Sequence, residues 1–223
     1  MKYLTKEWYI ASQLYAKENC FEEIPDKKYS DEEIETLHSN KLSDADFFEE
    51  NYQLFMDNPN LFRPKWILDA VDHRLVALGL LPSSAYKRLS EEIAKAKDYC
   101  LQSEANFKKI SEAQTIPNKL ADLNNLHDTK PIELKTIGSD IQLTLTGHGT
   151  YKLVMQNAQV IEDEISDSSD DILFLNYELY NTPTGYNFHM MFWGNNNALY
   201  YYTLDCSDID FSYSAPPDTE IIL

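Results

Sequence analysis

Two histidines occupy positions where acid–base chemistry would be easiest to perform. His148 lies between Gly147 and Gly149, in a sequence typical of a hairpin turn, where missing side chains let a ligand approach the backbone. His189 lies within the aromatic run NFHMMFW. Beside a carboxylate, either imidazole could transfer a proton in a hydrolase-type reaction. Turn histidines and hydrogen-bonded strand histidines are commoner than catalytic ones, so the sequence assigns no catalytic residue.

Metal and nucleophile patterns are missing from the sequence. It contains no G-x-S-x-G, no H-x-x-x-H pair and no glycine-rich phosphate loop. The acidic stretch 162–171 lacks the D-x-[DN]-x-[DN]-G spacing of a calcium loop and is more typical of a solvated loop. Cys20, Cys100 and Cys206 are far apart, which predicts neither a disulfide framework nor a zinc site. We therefore expect no metal and no cofactor.

A binding surface is the better candidate. Glu178, Tyr180, Tyr186 and Tyr201, with Thr203 beside them, are predicted to form an amphipathic patch on one face of a sheet. Tyrosine offers a large contact area, few rotatable bonds and a polar tip, which suits an interface. The alternative is a second core face whose hydroxyl groups lie at its rim.

Three consecutive strands must position this patch. They are predicted over residues 172–180, 186–193 and 198–204. The first turn contains Pro183 and Gly185, and the second contains Gly194 and three asparagines. If Tyr180 pairs with Tyr186, and Trp193 with Ala198, the patch residues share one face. A register slip of one residue would regroup them.

The order of the elements predicts an α+β fold, with an N-terminal helical half followed by a C-terminal antiparallel sheet of about five or six strands. We assign a helical bundle-like region to 1–126, a β region packed on it to 132–213 and a mobile tail to 214–223. The first two are expected to form one cooperative domain. The boundary is predicted at 117–131, where the sequence is polar and ends in Pro131.

Capping signals refine the helical half. Ser30 and Glu33 fit a capping box, and Ser43 is expected to cap a helix that Asn58 and Pro59 stop. The longest helical pattern starts at Ser83 or Ser84 and ends before Pro117. Between Pro64 and Gly79 two interpretations stay open. One is a single helix, and the other is a shorter helix capped by Asp72.

Charge restricts the partners. Lys and Arg number 19 against 37 Asp and Glu, so the formal net charge is −18. Nucleic-acid binding begins with a basic patch, and anionic membranes attract basic segments, so neither is expected as a partner. A basic protein partner would be attracted. The opening residues lack the apolar core of a signal peptide and no membrane span is evident, which predicts a cytoplasmic location.

Three stretches carry a resemblance. They are KYLTKEWY at 2–9, the segment 66–80 with VDHRLVALGL, and QNAQVIEDE at 156–164. They resemble a family of uncharacterised bacterial proteins, mainly from Firmicutes, defined by a domain of unknown function. This chain has Asp72-His73-Arg74 where the family is expected to have Asp-Pro-Arg. The resemblance implies a bacterial cytoplasmic protein and carries over no catalytic residue.

Three hypotheses follow. The first is a non-catalytic interaction protein that binds a basic protein partner through the acidic and aromatic surface, in one version as an immunity-type protein that neutralises a basic toxin. The second is a small-ligand-binding protein or hydrolase-type enzyme with a pocket between the helices and the sheet, using His189 or His148. The third, compatible with the first, is a homo-oligomer that covers the second sheet face.

Overall fold

The elements follow the predicted order, with helices first and antiparallel strands after them, so the α+β class is confirmed. The structure, a computed structural model, describes residues 1–41, 46–57, 64–114, 116–166, 171–195 and 198–216. The predicted cap at Ser43 and stop at Asn58 and Pro59 lie outside the described residues, as does most of the predicted tail, at 217–223. Ser214, the first residue of that tail, ends a strand instead.

The helices concentrate in the first half of the chain. They are α1 (Lys6–Tyr15), α2 (Asp31–Lys41), α3 (Asp46–Asp57), α4 (Trp66–Ala70), α5 (His73–Ala77), α6 (Ser83–Glu112) and a 3₁₀ helix (Asn118–Leu126). The capping box forms at α2, where the Ser30 N–H donates to the Glu33 carboxylate and the Glu33 N–H donates to the Ser30 hydroxyl. Asp72 accepts the N–H of Arg74 and caps α5, so the segment 64–79 contains two short helices.

Ten strands are described. They are β1 (Glu22–Ile24), β2 (Leu80–Pro82), β3 (Lys130–Ile137), β4 (Asp140–Thr146), β5 (Thr150–Gln156), β6 (Gln159–Asp163), β7 (Leu173–Thr182), β8 (Gly185–Trp193), β9 (Leu199–Cys206) and β10 (Asp208–Ser214). The first two form a parallel pair that the sequence did not predict. The other eight divide into two four-stranded sheets, where one sheet of five or six strands was expected.

The chain divides into two compact units. One contains Glu7–Gln102, and the other contains Met1–Lys6 together with Ser103–Leu223. The first unit has its own core of aliphatic side chains, contributed by α2, α4, α5, β2 and the first half of α6. The predicted division at 117–131 was based on composition, whereas this one follows the contacts, which also assign the first six residues to the sheet unit.

The two large sheets of the second unit are joined by a bent ribbon. Strand β5 runs into β6 after two residues, and β9 runs into β10 after Ser207. Since β5 pairs with β10 and β6 pairs with β9, the same ribbon belongs to both sheets. The inward side chains of both sheets and three leucines of the 3₁₀ helix, Leu120, Leu123 and Leu126, form one hydrophobic core.

The register of the meander corrects the assumed pairing by one residue. Strands β7 and β8 are joined by a two-residue turn, so Thr182 pairs with Gly185 and Tyr180 pairs with Asn187, not with Tyr186. On the other side of β8, Trp193 pairs with Leu199, not with Ala198. Because side chains alternate along a strand, Tyr186 lies on the opposite face from Glu178 and packs against the core.

Candidate functional site

Glu178 is the centre of the polar site. It lies near the middle of β7, directly opposite His189 on β8, which in turn pairs with Thr203 on β9. These three residues therefore share the sheet face that points away from the core. The Glu178 side chain is nevertheless fully buried, with 0% of its surface exposed. A buried carboxylate requires compensating hydrogen bonds, because its transfer out of water is costly.

Four donors satisfy this carboxylate. Its oxygens accept the backbone N–H groups of Lys2 at 2.5 Å, Tyr3 at 2.7 Å and Leu4 at 2.5 Å, and the Tyr180 hydroxyl at 2.6 Å. Burial by itself raises the pKa of Glu178, but these hydrogen bonds outweigh burial and hold the pKa below its usual range. Burial and the adjacent carboxylate raise the pKa of Tyr180, so its hydroxyl stays protonated and donates. The four donors thus form a cage that satisfies the Glu178 carboxylate.

Three of the four donors come from Met1–Lys6, which we name the docked segment. Its second anchor is Lys6, whose backbone N–H donates to the Tyr201 hydroxyl at 2.6 Å. The Lys6 ammonium donates to Glu164 Oε2 at 2.6 Å and lies 4.4 Å from the centre of the Tyr201 ring. The same Glu164 oxygen accepts the Tyr201 N–H at 2.6 Å, which fixes the carboxylate in place. The docked segment is therefore held at both ends.

His189 borders this arrangement. Its Nδ1 lies 3.2 Å from the Thr203 hydroxyl and 3.1 Å from the Met1 amino nitrogen, and its ring meets the Tyr180 ring edge to face at 5.6 Å. Burial and, to a smaller extent, the charged Met1 amino group lower the pKa of His189 to about 4, although Glu178 and Asp205 act in the opposite direction. The imidazole is therefore neutral near neutral pH and engaged through Nδ1.

The burial of His189 predicts that acidification destabilises the protein. The unfolded chain binds a proton at His189 near pH 6.5, whereas the folded chain does so only near 4. Lowering the pH through that window therefore favours unfolding. Glu178 adds to the effect below its ordinary pKa of 4.5, because its folded pKa is lower.

We expect the urea midpoint to fall between about pH 7 and about pH 4.5, and to fall less in His189→Gln. The matched control is His148→Gln, because His148 is exposed. Equal pH slopes in the unmodified chain and His189→Gln would contradict the prediction.

The structure brings together three of the four predicted binding residues. Glu178, Tyr180 and Tyr201 share the face that carries the docked segment, whereas Tyr186 lies on the other face. Glu164 and the docked segment itself were not predicted as site residues. The sequence did contain one signal, because residues 1–6 carry two lysines and no acidic residue.

The other candidate histidine, His148, and the buried Cys206 have structural surroundings. His148 is exposed in the β4–β5 turn, and its carbonyl accepts the Tyr213 hydroxyl at 3.1 Å. Cys206 is buried, and burial raises the pKa of its thiol to about 12, so the thiolate nucleophile is not formed near neutral pH.

Among the described residues of the helical unit, two depressions lie near the start of α6. The larger, about 500 Å³, is lined in part by Asp26, Ser84 and Lys87, and Asp26 accepts both the N–H and the hydroxyl of Ser84. The smaller, about 240 Å³, is lined in part by Trp66 and Arg88. The described residues that line them include no histidine.

Two further features are absent from the described part of the chain. Within it, no group of three or more His, Cys, Asp and Glu side chains converges as a metal site would. No helix within the same residues is both long enough and apolar enough to span a bilayer.

Comparisons with family models, with curated proteins and with solved structures gave no significant match. The resemblance to a Firmicutes family therefore stays a prediction, and the functional argument depends on the geometry of the site.

Proposed function

We propose that this chain is a non-catalytic, cytoplasmic interaction protein that binds a basic protein partner through the acidic and aromatic face around Glu178, Tyr180 and Tyr201. The observation that carries the proposal is the occupant of that face. A segment bearing two lysines lies there, with its backbone on Glu178 and Lys6 between Tyr201 and Glu164. An immunity-type protein that neutralises a basic toxin is one form of this proposal.

The surrounding charge supports a basic partner. The formal net charge is −18, and two glutamates at the end of β6 lie on the face of the docked segment: Glu162 accepts the Thr203 hydroxyl, and Glu164 pairs with Lys6. Asp205 lies on the neighbouring strand and pairs in register with Gln159. Such a concentration of one charge sign accelerates association with an oppositely charged protein and weakens as salt is added.

The hydrogen bonding around Glu178 favours binding over catalysis. A general base needs a free lone pair directed at a substrate, but this carboxylate already accepts four hydrogen bonds. The nearby His189 is engaged with Thr203 and Met1. The alternative of a small-ligand binder or hydrolase-type enzyme, with His189 or His148 as the acid–base group, therefore has weaker support.

An affinity pull-down tests the proposal. The protein, tagged at its C-terminal end, is incubated with lysate of its source cells at about 50 mM and about 300 mM salt, and bound proteins are identified by mass spectrometry. We expect one stoichiometric basic protein that is retained at low salt and largely released at the higher salt. Recovery of the bait alone at both concentrations would contradict the proposal.

A matched pair of variants locates the interface. Glu162→Gln with Asp205→Asn removes two negative charges from the face of the site, and Glu91→Gln with Asp98→Asn removes two exposed ones from α6. The first pair is expected to reduce recovery of the partner at least threefold. The second pair is expected to leave that recovery unchanged within experimental error. Equal losses would indicate attraction by the net charge alone.

A further inference from the structure

We propose that the face holding Met1–Lys6 is a groove for a lysine-bearing segment of the partner, and that the docked segment occupies it as an intramolecular competitor. This inference rests on the proposed function and specifies the chemistry of the partner. The groove consists of the Glu178 carboxylate at one end and the Tyr201–Glu164 pair at the other. Partner binding then requires release of residues 1–6.

Most of the recognition in this groove is made through the backbone. Three consecutive N–H groups, from Lys2, Tyr3 and Leu4, donate to the single carboxylate of Glu178. The Lys6 N–H adds a fourth main-chain contact, to the Tyr201 hydroxyl. Every residue except proline supplies such a donor, so another segment with the same conformation could replace all four bonds.

The lysine supplies the selectivity. Lys6 combines an ion pair with Glu164 and a cation–π contact with Tyr201. Lys2 differs, because its ammonium lies 5.6 Å from the ring centre of its neighbour Tyr3. The two lysines therefore form a matched pair. Each carries one positive charge, but the Lys6 ammonium contacts the groove, whereas the Lys2 ammonium contacts the docked segment itself.

The connectivity supports an exchangeable occupant. Leu4 and Glu178 are 174 residues apart in the sequence, and the rest of the sheet unit begins at Ser103. The docked segment thus reaches the sheet as a short peptide supplied from a distant part of the chain. Its covalent tether gives it an effective concentration of about millimolar, so a free peptide competes only at a comparable concentration or when the tethered segment is weakened.

The test uses the full chain carrying Leu4→Ala and Lys6→Ala, which weaken the docked segment. The probe is a synthetic peptide of residues 1–6, labelled with a fluorophore at its C-terminal end, and its binding is followed by fluorescence anisotropy. We expect the apparent Kd to be at least tenfold lower for this variant than for the unmodified chain. The Lys6→Ala peptide is expected to bind the variant at least fivefold more weakly, and the Lys2→Ala peptide to stay within twofold.

Hydrogen exchange provides a second measurement that does not depend on the variant. In the unmodified chain, millimolar unlabelled peptide is expected to accelerate exchange of the Lys2, Tyr3 and Leu4 amides at least threefold, because it displaces them. The inference is overturned if the folded variant does not bind the peptide, or if the variant does not fold and the exchange rates do not change. Equal binding of the two alanine peptides would overturn the lysine selectivity.

Failure of the groove inference can be distinguished from failure of the proposed function. If the peptide binds but the pull-down recovers no basic partner, the groove inference stands and the proposed function is contradicted. A basic partner recovered by a protein that does not bind the peptide would retain the function and place the interface elsewhere.

Discussion

Replacing Glu178 by alanine is expected to lower the free energy of unfolding by about 3 kcal/mol, because removing one partner of a buried charged network leaves its donors unpaired. The donors are three backbone N–H groups and the Tyr180 hydroxyl, and the carboxylate that they contact is fully buried. Undocking of residues 1–6 would rehydrate them and thereby limit the loss. We therefore expect faster exchange of the Lys2, Tyr3 and Leu4 amides along with a lower urea midpoint.

Two further variants are compared with Glu178→Ala. Glu178→Gln keeps one acceptor oxygen but turns an NH₂ group toward donors, so an intermediate loss is expected. Glu162→Ala removes a carboxylate on β6 whose bond, from the Thr203 hydroxyl, is long at 3.4 Å. Glu162→Ala is therefore expected to lower the free energy of unfolding by no more than about 0.5 kcal/mol. Unchanged stability and unchanged amide exchange in Glu178→Ala would show that the cage does not hold the segment.

Replacing Gly185 by alanine is expected to lower the free energy of unfolding by at least about 3 kcal/mol, because the effects of backbone strain and of a steric clash add together. Gly185 has φ +144°, a conformation that side chains disfavour. An added Cβ would lie 2.1 Å from the Cys206 carbonyl oxygen and 2.6 Å from Ser207 Cα. Both are backbone atoms of the bent ribbon, so neither can move cheaply. Urea unfolding measures the loss.

Gly138 provides the matched control for this substitution. It also has a positive φ, of +64°, but an added Cβ there would meet nothing within 4 Å. Gly138→Ala should therefore show only the conformational cost, about 1 kcal/mol. If the two variants lost equal stability, the clash with the ribbon would be ruled out as the main cause.

Gly185 also illustrates why the register could not be predicted. The sequence marks 181–185 as a turn, but the number of residues that the turn leaves unpaired depends on how the strands meet the ribbon. Here Thr182 pairs with Gly185, and the resulting register places Glu178 opposite His189. A shift of one residue moves a side chain to the other face, which is why Tyr186 was grouped wrongly with Glu178.

Much of the fold was predictable because it depends on local patterns. The capping box at Ser30, the single long helix from Ser83 and the three strands of the meander each leave a periodic or turn signal within a few residues. The division into two sheets was not predictable. It arises where β5 runs into β6, and the sequence has no strong turn signal at that bend.

By itself, then, the sequence determined the class of the fold, the strong negative charge and the concentration of aromatic side chains on the last strands. The tertiary structure decided what Glu178 does. Three of its four partners lie 174 to 176 residues away in the sequence, and no local pattern encodes a contact at that distance. The sequence predicted Glu178 as part of an amphipathic binding patch, whereas the fold buries it, because residues 1–6 deliver three backbone donors to the same point.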